Sequence, residues 1–178
     1  MEKNAEILEA SATCFFRYGL KKTTMTDVAN AAGVSRQTLY NLYPNREVLV
    51  EETIVFLMDK ALVEIQNIWA TQDNLADKID TYFKLGPISW YDSIQADPDA
   101  AEILEGGSEV FSPIALRVHE AWVGAIAEEF KKSFAADRVE PLADFFFNTS
   151  KNAKYGSKDR NQFMERLAVL KEMILNAA

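Results

Sequence analysis

The sequence predicts an all-α protein, with an N-terminal three-helix domain that includes a helix-turn-helix and a larger helical domain after it. Apolar residues recur three and four positions apart along almost the whole chain. Only seven glycines and five prolines occur in 178 residues, and most fall where a periodic stretch stops. Charge is divided unevenly. The chain carries 19 Lys and Arg against 27 Asp and Glu, a net −8. Six basic and five acidic residues lie in the first fifty positions, so nearly all the surplus acid lies beyond them.

The elements follow in order. Ile7, Leu8, Ala12, Phe15 and Phe16 share helical spacing, and Gly19 suits a left-handed residue just past the end of that helix. Thr24-Met25-Thr26-Asp27 reads as a capping box opening a short second helix that ends near Ala32. Gly33 supplies a turn, Val34 an apolar plug and Ser35 a cap for a third helix over 36–43, in which Leu39 and Leu42 can face inward. Pro44 ends it, and Asn45 caps a fourth helix running toward Trp69. A helical hairpin inside an ordinary core and a helix-turn-helix both fit this geometry. The polar face of the third helix favours the second reading, because Arg36, Gln37, Thr38, Tyr40 and Asn41 offer donors for phosphates and base edges.

Beyond Thr71–Asn74, a polar break, Ile79, Phe83, Gly86 and Trp90 form one stripe, with a kink or restart expected at Gly86-Pro87. A short helix is expected from Asp97 to Gly106. Another opens at Ser112-Pro113, with Val118, Trp122, Ile126 and Phe130 along its apolar side. A further helix is expected from about Val139 to Tyr155, and a last one from about Lys158 to Asn176.

The run from Thr23 to Leu49, T-T-M-T-D-V-A-N-A-A-G-V-S-R-Q-T-L-Y-N-L-Y-P-N-R-E-V-L, resembles the DNA-binding domain of TetR-family transcriptional regulators. The preceding I-L-E-A-S-A-T-C-F-F-R-Y-G-L resembles that family's first helix. The resemblance covers about residues 5–50. It implies a DNA-binding domain over 1–46 and a helical effector-binding and dimerisation domain over 47–178. It implies phosphate contacts from Thr24, Ser35, Tyr40, Asn41 and Arg46, and base reading by Arg36, Gln37 and Thr38. The chain departs from the family's usual Gly at Gln37, His at Leu42 and Lys at Arg46. The implied partners are a palindromic double-stranded operator, a small-molecule effector and a second copy of the chain. Repression is the family tendency, and the effector's identity is not in the sequence.

Trp90, Tyr91, Phe111, His119 and Trp122 are the candidate effector-binding residues; core filling is the competing reading for each aromatic. Leu142, Phe145, Phe146 and Thr149, with Phe163, Leu167, Leu170 and Ile174, are the candidate dimer interface, since the resemblance implies a dimer built from the last two helices; intramolecular core is the competing reading. No cofactor and no metal is expected. One histidine and one cysteine leave almost nothing for His/Cys metal chemistry, and no catalytic constellation appears. Cys14, among phenylalanines, reads as a small buried hydrophobe, and its isolation fits a cytoplasmic protein. No run of about 18 apolar residues suits a membrane span. A helical ligand-binding or scaffold protein with a degenerate reader is the alternative.

Overall fold

The computed structural model describes residues 2–96 and 113–178. Among these there are nine α-helices and no strand. They are α1 (Glu2–Tyr18), α2 (Met25–Ala31), α3 (Arg36–Leu42), α4 (Arg46–Trp69), α5 (Leu75–Phe83), α6 (Ser89–Ala96), α7 (Pro113–Phe130), α8 (Ala136–Asn152) and α9 (Arg160–Ala177). The chain divides into two compact units. One runs to Lys60 and takes in the described residues of 94–116; the other holds 61–93 and 117–178.

In the first unit, Ile7, Leu8, Cys14, Met25, Val28, Ala29, Leu39, Tyr43 and Leu49 form one core drawn from α1 to α4. Burial raises the Cys14 thiol's pKa, and the nearby Asp27 adds to the effect. Phe15 is buried but Phe16 is 70% exposed, which corrects the expectation that both lie on the apolar face. Neighbouring helical residues point about 100° apart, and only one can face the core. Leu42 is likewise exposed rather than inward, because Leu39 and Tyr43 take the buried side of α3. The first turns of α4 belong to this core through Leu49, Val50 and Thr53, whose hydroxyl donates to Ser11 Oγ at 3.0 Å.

Helix ends in this unit are closed locally. Gly19 and Gly33 adopt φ of 86° and 63°, where a side chain would be strained. Thr24 Oγ1 accepts from the Asp27 amide at 3.2 Å, and Asp27 Oδ2 accepts from the Thr24 amide at 2.8 Å. Ser35 Oγ accepts from the Thr38 amide at 3.0 Å, and Asn45 Oδ1 from that of Val48 at 2.8 Å.

The second unit is an aromatic core. Tyr82 and Phe83 of α5, Trp122 and Phe130 of α7, Phe146 and Phe147 of α8, and Phe163 of α9 are all buried. Tyr82 and Phe146 rings lie 5.0 Å apart, and Phe83 stacks on Phe146 at 5.5 Å. The helix does not stop at Gly86-Pro87. It passes from α5 into α6 through one wider π-type turn over Lys84–Ile88, which accommodates a proline that has no amide hydrogen to give. Gly86 packs against the Trp122 ring, where a Cβ would lie at 3.4 Å, an ordinary van der Waals contact.

α8 begins at Ala136, earlier than expected, and runs through Pro141. Val139 is buried and holds the first turn in place, while Pro141 is exposed near the helix start, where one lost backbone bond is cheap. α8 also ends earlier, at Asn152. Arg166 from α9 donates to the carbonyls of Ala153, Tyr155 and Gly156, closing that exit.

Candidate nucleic-acid interface

α3 is seven residues long, about 10 Å at 1.5 Å per residue. Leu39 is fully buried and Tyr43 nearly so, which anchors one side of the helix in the core. Arg36, Gln37, Tyr40 and Asn41 are exposed on the remaining sides, and Thr38 is half-buried beside them. Gln37 Nε2 donates to Asn41 Oδ1 at 2.9 Å, one helical turn on. That bond fixes the Gln37 amide while leaving its Oε1 and one N–H for a partner.

Three residues assigned to phosphate already have partners inside the protein. The Thr24 amide and hydroxyl both donate to Asp27 Oδ2, at 2.8 and 2.6 Å. Those bonds draw the Asp27 carboxyl below its usual range. Ser35 Oγ serves as the cap of α3 and lies 2.8 Å from Thr38 Oγ1. Arg46 Nε donates to the Thr23 carbonyl at 3.1 Å, and its Nη2 donates to the Leu20 carbonyl. The structure thus directs the Arg46 guanidinium onto backbone of its own unit.

The candidate effector residues disperse. Trp122 is 3% exposed, edge-on to Tyr82 at 5.9 Å and tilted against Phe147 at 6.1 Å. Its Nε1 is buried without an acceptor among the described residues. Tyr91 stacks on Phe163 at 4.7 Å and 17°, and Trp90 is half-buried. His119 Nε2 lies 2.9 Å from Asp144 Oδ1. It faces an open groove with Glu120, Val123, Gly124, Glu140 and Pro141 rather than the interior. Phe111 lies outside the described residues. An enclosed void bounded by Trp69, Lys78, Tyr82, Ile126, Phe130 and Phe146 measures about 10 Å³, room for a single water.

The candidate dimer-interface residues divide by burial. Phe146, Phe163, Leu167, Leu170 and Ile174 are at most 3% exposed within one protomer. They form that protomer's own core and have no surface to offer a second copy. The apolar stripes on α8 and α9 face the interior of the unit they share, as amphipathic helices do. Leu142 and Thr149 are half-buried, and Phe145 is 46% exposed. On α9 the exposed apolar residues are Val169 and Met173.

The sequence family described as bacterial regulatory proteins, tetR family, matches residues 7–53. Those are the residues that build the capped α2–α3 pair and its supporting helices. Over those residues the chain carries the DNA-binding domain of the TetR family. It is similar to the transcriptional repressor KstR2 of Rhodococcus jostii, at 27% identity over 79% of this chain and 72% of that protein. KstR2 of Mycolicibacterium smegmatis is 33% identical over 44% of this chain and 38% of its own length. The chain therefore aligns with about two fifths of that relative's length. A solved structure of Thermus thermophilus FadR, a TetR-family repressor in complex with lauroyl-CoA, has a like fold. Its TM-score is 0.65, with 21% identity, over 97% of this chain and 93% of that one.

Sequence reasoning missed three polar contacts that shape the second unit. Lys78 is 6% exposed and forms an ion pair with Glu129, which also binds Lys132 at 3.0 Å. Burial is the largest influence on Glu129 and pushes its pKa up, but bonds from Lys78 and Lys132 outweigh it and the net shift is downward. Tyr82 Oη lies 2.8 Å from Ser150 Oγ in the core, and Asp92 takes two bonds from Arg160 at 2.8 and 2.9 Å. The partners stand 51 to 68 positions apart, and no local pattern announces them.

Proposed function

We propose that the chain is a homodimeric transcriptional repressor that binds a palindromic operator through α3 and is released by a small-molecule effector. The carrying observation is the division of α3 into a buried Leu39–Tyr43 side and an outer side of Arg36, Gln37, Tyr40 and Asn41. Arg pairs with guanine and Gln with adenine by two-point hydrogen bonding in the major groove. The fixed Gln37 amide suits the second of these. With few cations in the reader, non-specific attraction is weak and base contacts carry more of the affinity.

Leu142 and Phe145 of α8, with Thr149 beside them and Val169 and Met173 of α9, are side chains on these two helices that remain available to a second copy. The effector acts on the second unit by selecting the conformer that it binds better, and its release effect equals its preference for that conformer. Trp122 Nε1, without an acceptor among the described residues, gives such a ligand a donor for one acceptor atom. The fatty-acyl ligand of the FadR structure supports an effector on this fold.

Selection from a random pool of duplexes tests the reading. The expected result is one enriched palindrome whose half-sites lie about 10 base pairs, or 34–36 Å, apart or a multiple of that. A pool that shows no enrichment overturns it.

A further inference from the structure

We infer that Arg46 is a positioning residue that holds the DNA reader in its binding geometry, rather than an anchor for phosphate. The inference rests on the DNA-binding reading above. Arg46 is the first residue of α4 and is half-buried. Its Nε donates to the carbonyl of Thr23, and its Nη2 to that of Leu20. These carbonyls belong to the turn between α1 and α2. Thr23 is 2% exposed, and its own hydroxyl donates to the carbonyls of Cys14 and Gly19, at 3.1 and 2.9 Å. The next residue, Thr24, is the N-cap of α2. One guanidinium thus ties the start of α4 to the segment that starts α2, and α2 carries α3.

Electrostatics makes this arrangement purposeful. A cation in the first turn of a helix opposes the helix dipole and is unfavourable there. Two carbonyl acceptors offset that cost, and a planar fork spanning two carbonyls is a geometry that guanidinium makes and a single ammonium does not. α4 is also the helix that leaves the reader and continues past Lys60. A change in the attitude of α4 reaches α2 first through this grip.

Full-length wild type, Arg46→Ala and Arg46→Lys are titrated with the enriched operator and with a scrambled duplex across a salt series. Both variants are expected to lose about tenfold in operator affinity. Their affinity for scrambled DNA and the salt slope should stay unchanged, because no phosphate contact is lost. A fall on both duplexes, with a slope reduced by about two per dimer, identifies phosphate anchors and overturns the inference, since each contact contributes about 0.9. Arg46→Lys behaving as wild type also overturns it. Amide exchange on the DNA-free protein decides independently. Arg46→Ala should speed exchange at Asp27–Ala31 about tenfold, and unchanged protection there overturns the inference even if no operator is enriched.

Discussion

In the first unit, many polar side chains close helix ends three residues away: Thr24 with Asp27, Ser35 with Thr38, Asn45 with Val48. The second unit has such caps too, as Asn74 with Asp77, and adds bonds that join distant helices: Lys78 with Glu129, Tyr82 with Ser150, Asp80 with Lys171 at 2.6 Å across 91 positions. The exceptions are informative. Among the described residues of the first unit, Arg46, the Ser11–Thr53 bond and the Lys60–Glu9 pair reach furthest along the chain, and all three involve α4. A short-range device fixes the shape of a small motif wherever it occurs. A long-range device depends on the whole unit having folded first. The reader's outer face is therefore a local property, whereas the second unit's surface is what remains after its core is complete.

Breaking the core should produce the largest effect. Leu167→Arg places a charge at a site 1% exposed and is expected to cost more than about 4 kcal/mol, unfolding the second unit in thermal melts. Phe145→Arg, at an exposed site of α8, should leave stability within about 0.5 kcal/mol and convert the dimer to monomers in sedimentation. A folded, monomeric Leu167→Arg would return the interface to the buried stripe.

A middle-sized effect separates long-range from local polar contacts. Lys78→Met removes the buried partner of Glu129 and is expected to cost about 1–3 kcal/mol near neutral pH. Glu129 has a depressed pKa in the folded state. Its contribution is present above the ordinary glutamate range and is lost as pH falls through the folded value. Calorimetry of wild type should show that loss below about pH 4, and the variant should show less of it. Equal acid sensitivity would mean the pair contributes nothing.

The smallest effect tests whether caps are alike in both units. Ser35→Ala and Asn74→Ala, whose side chains accept from Thr38 and Asp77 amides, should each cost about 1 kcal/mol in denaturant titrations. A cost near zero at Ser35 would show that α3 is held by Leu39 and Tyr43 alone.

The reader was legible because its signals are local. Gly19, Thr24, Gly33, Ser35, Pro44 and Asn45 mark helix ends within a few residues, and the structure places the ends there. The second unit was legible only as helices. A stripe such as Phe163, Leu167, Leu170 and Ile174 states that a face is buried, not whether its partner is the same chain or another. The aromatic residues chosen for an effector were chosen for size, and size also fills a core: Trp122 went to Tyr82 and Phe147. Arg46 shows a related limit: its guanidinium bonds to carbonyls 23 and 26 residues away, which no spacing rule reaches.

The central claim is that the outer side of α3 reads bases. Titration of Gln37→Ala against the selected operator, and against operators altered one base pair at a time, tests it directly. The variant should lose about 1–3 kcal/mol of discrimination at one A·T pair per half-site and keep its affinity for scrambled DNA. Full discrimination retained at every position, in this variant and in Arg36→Ala, would contradict the claim.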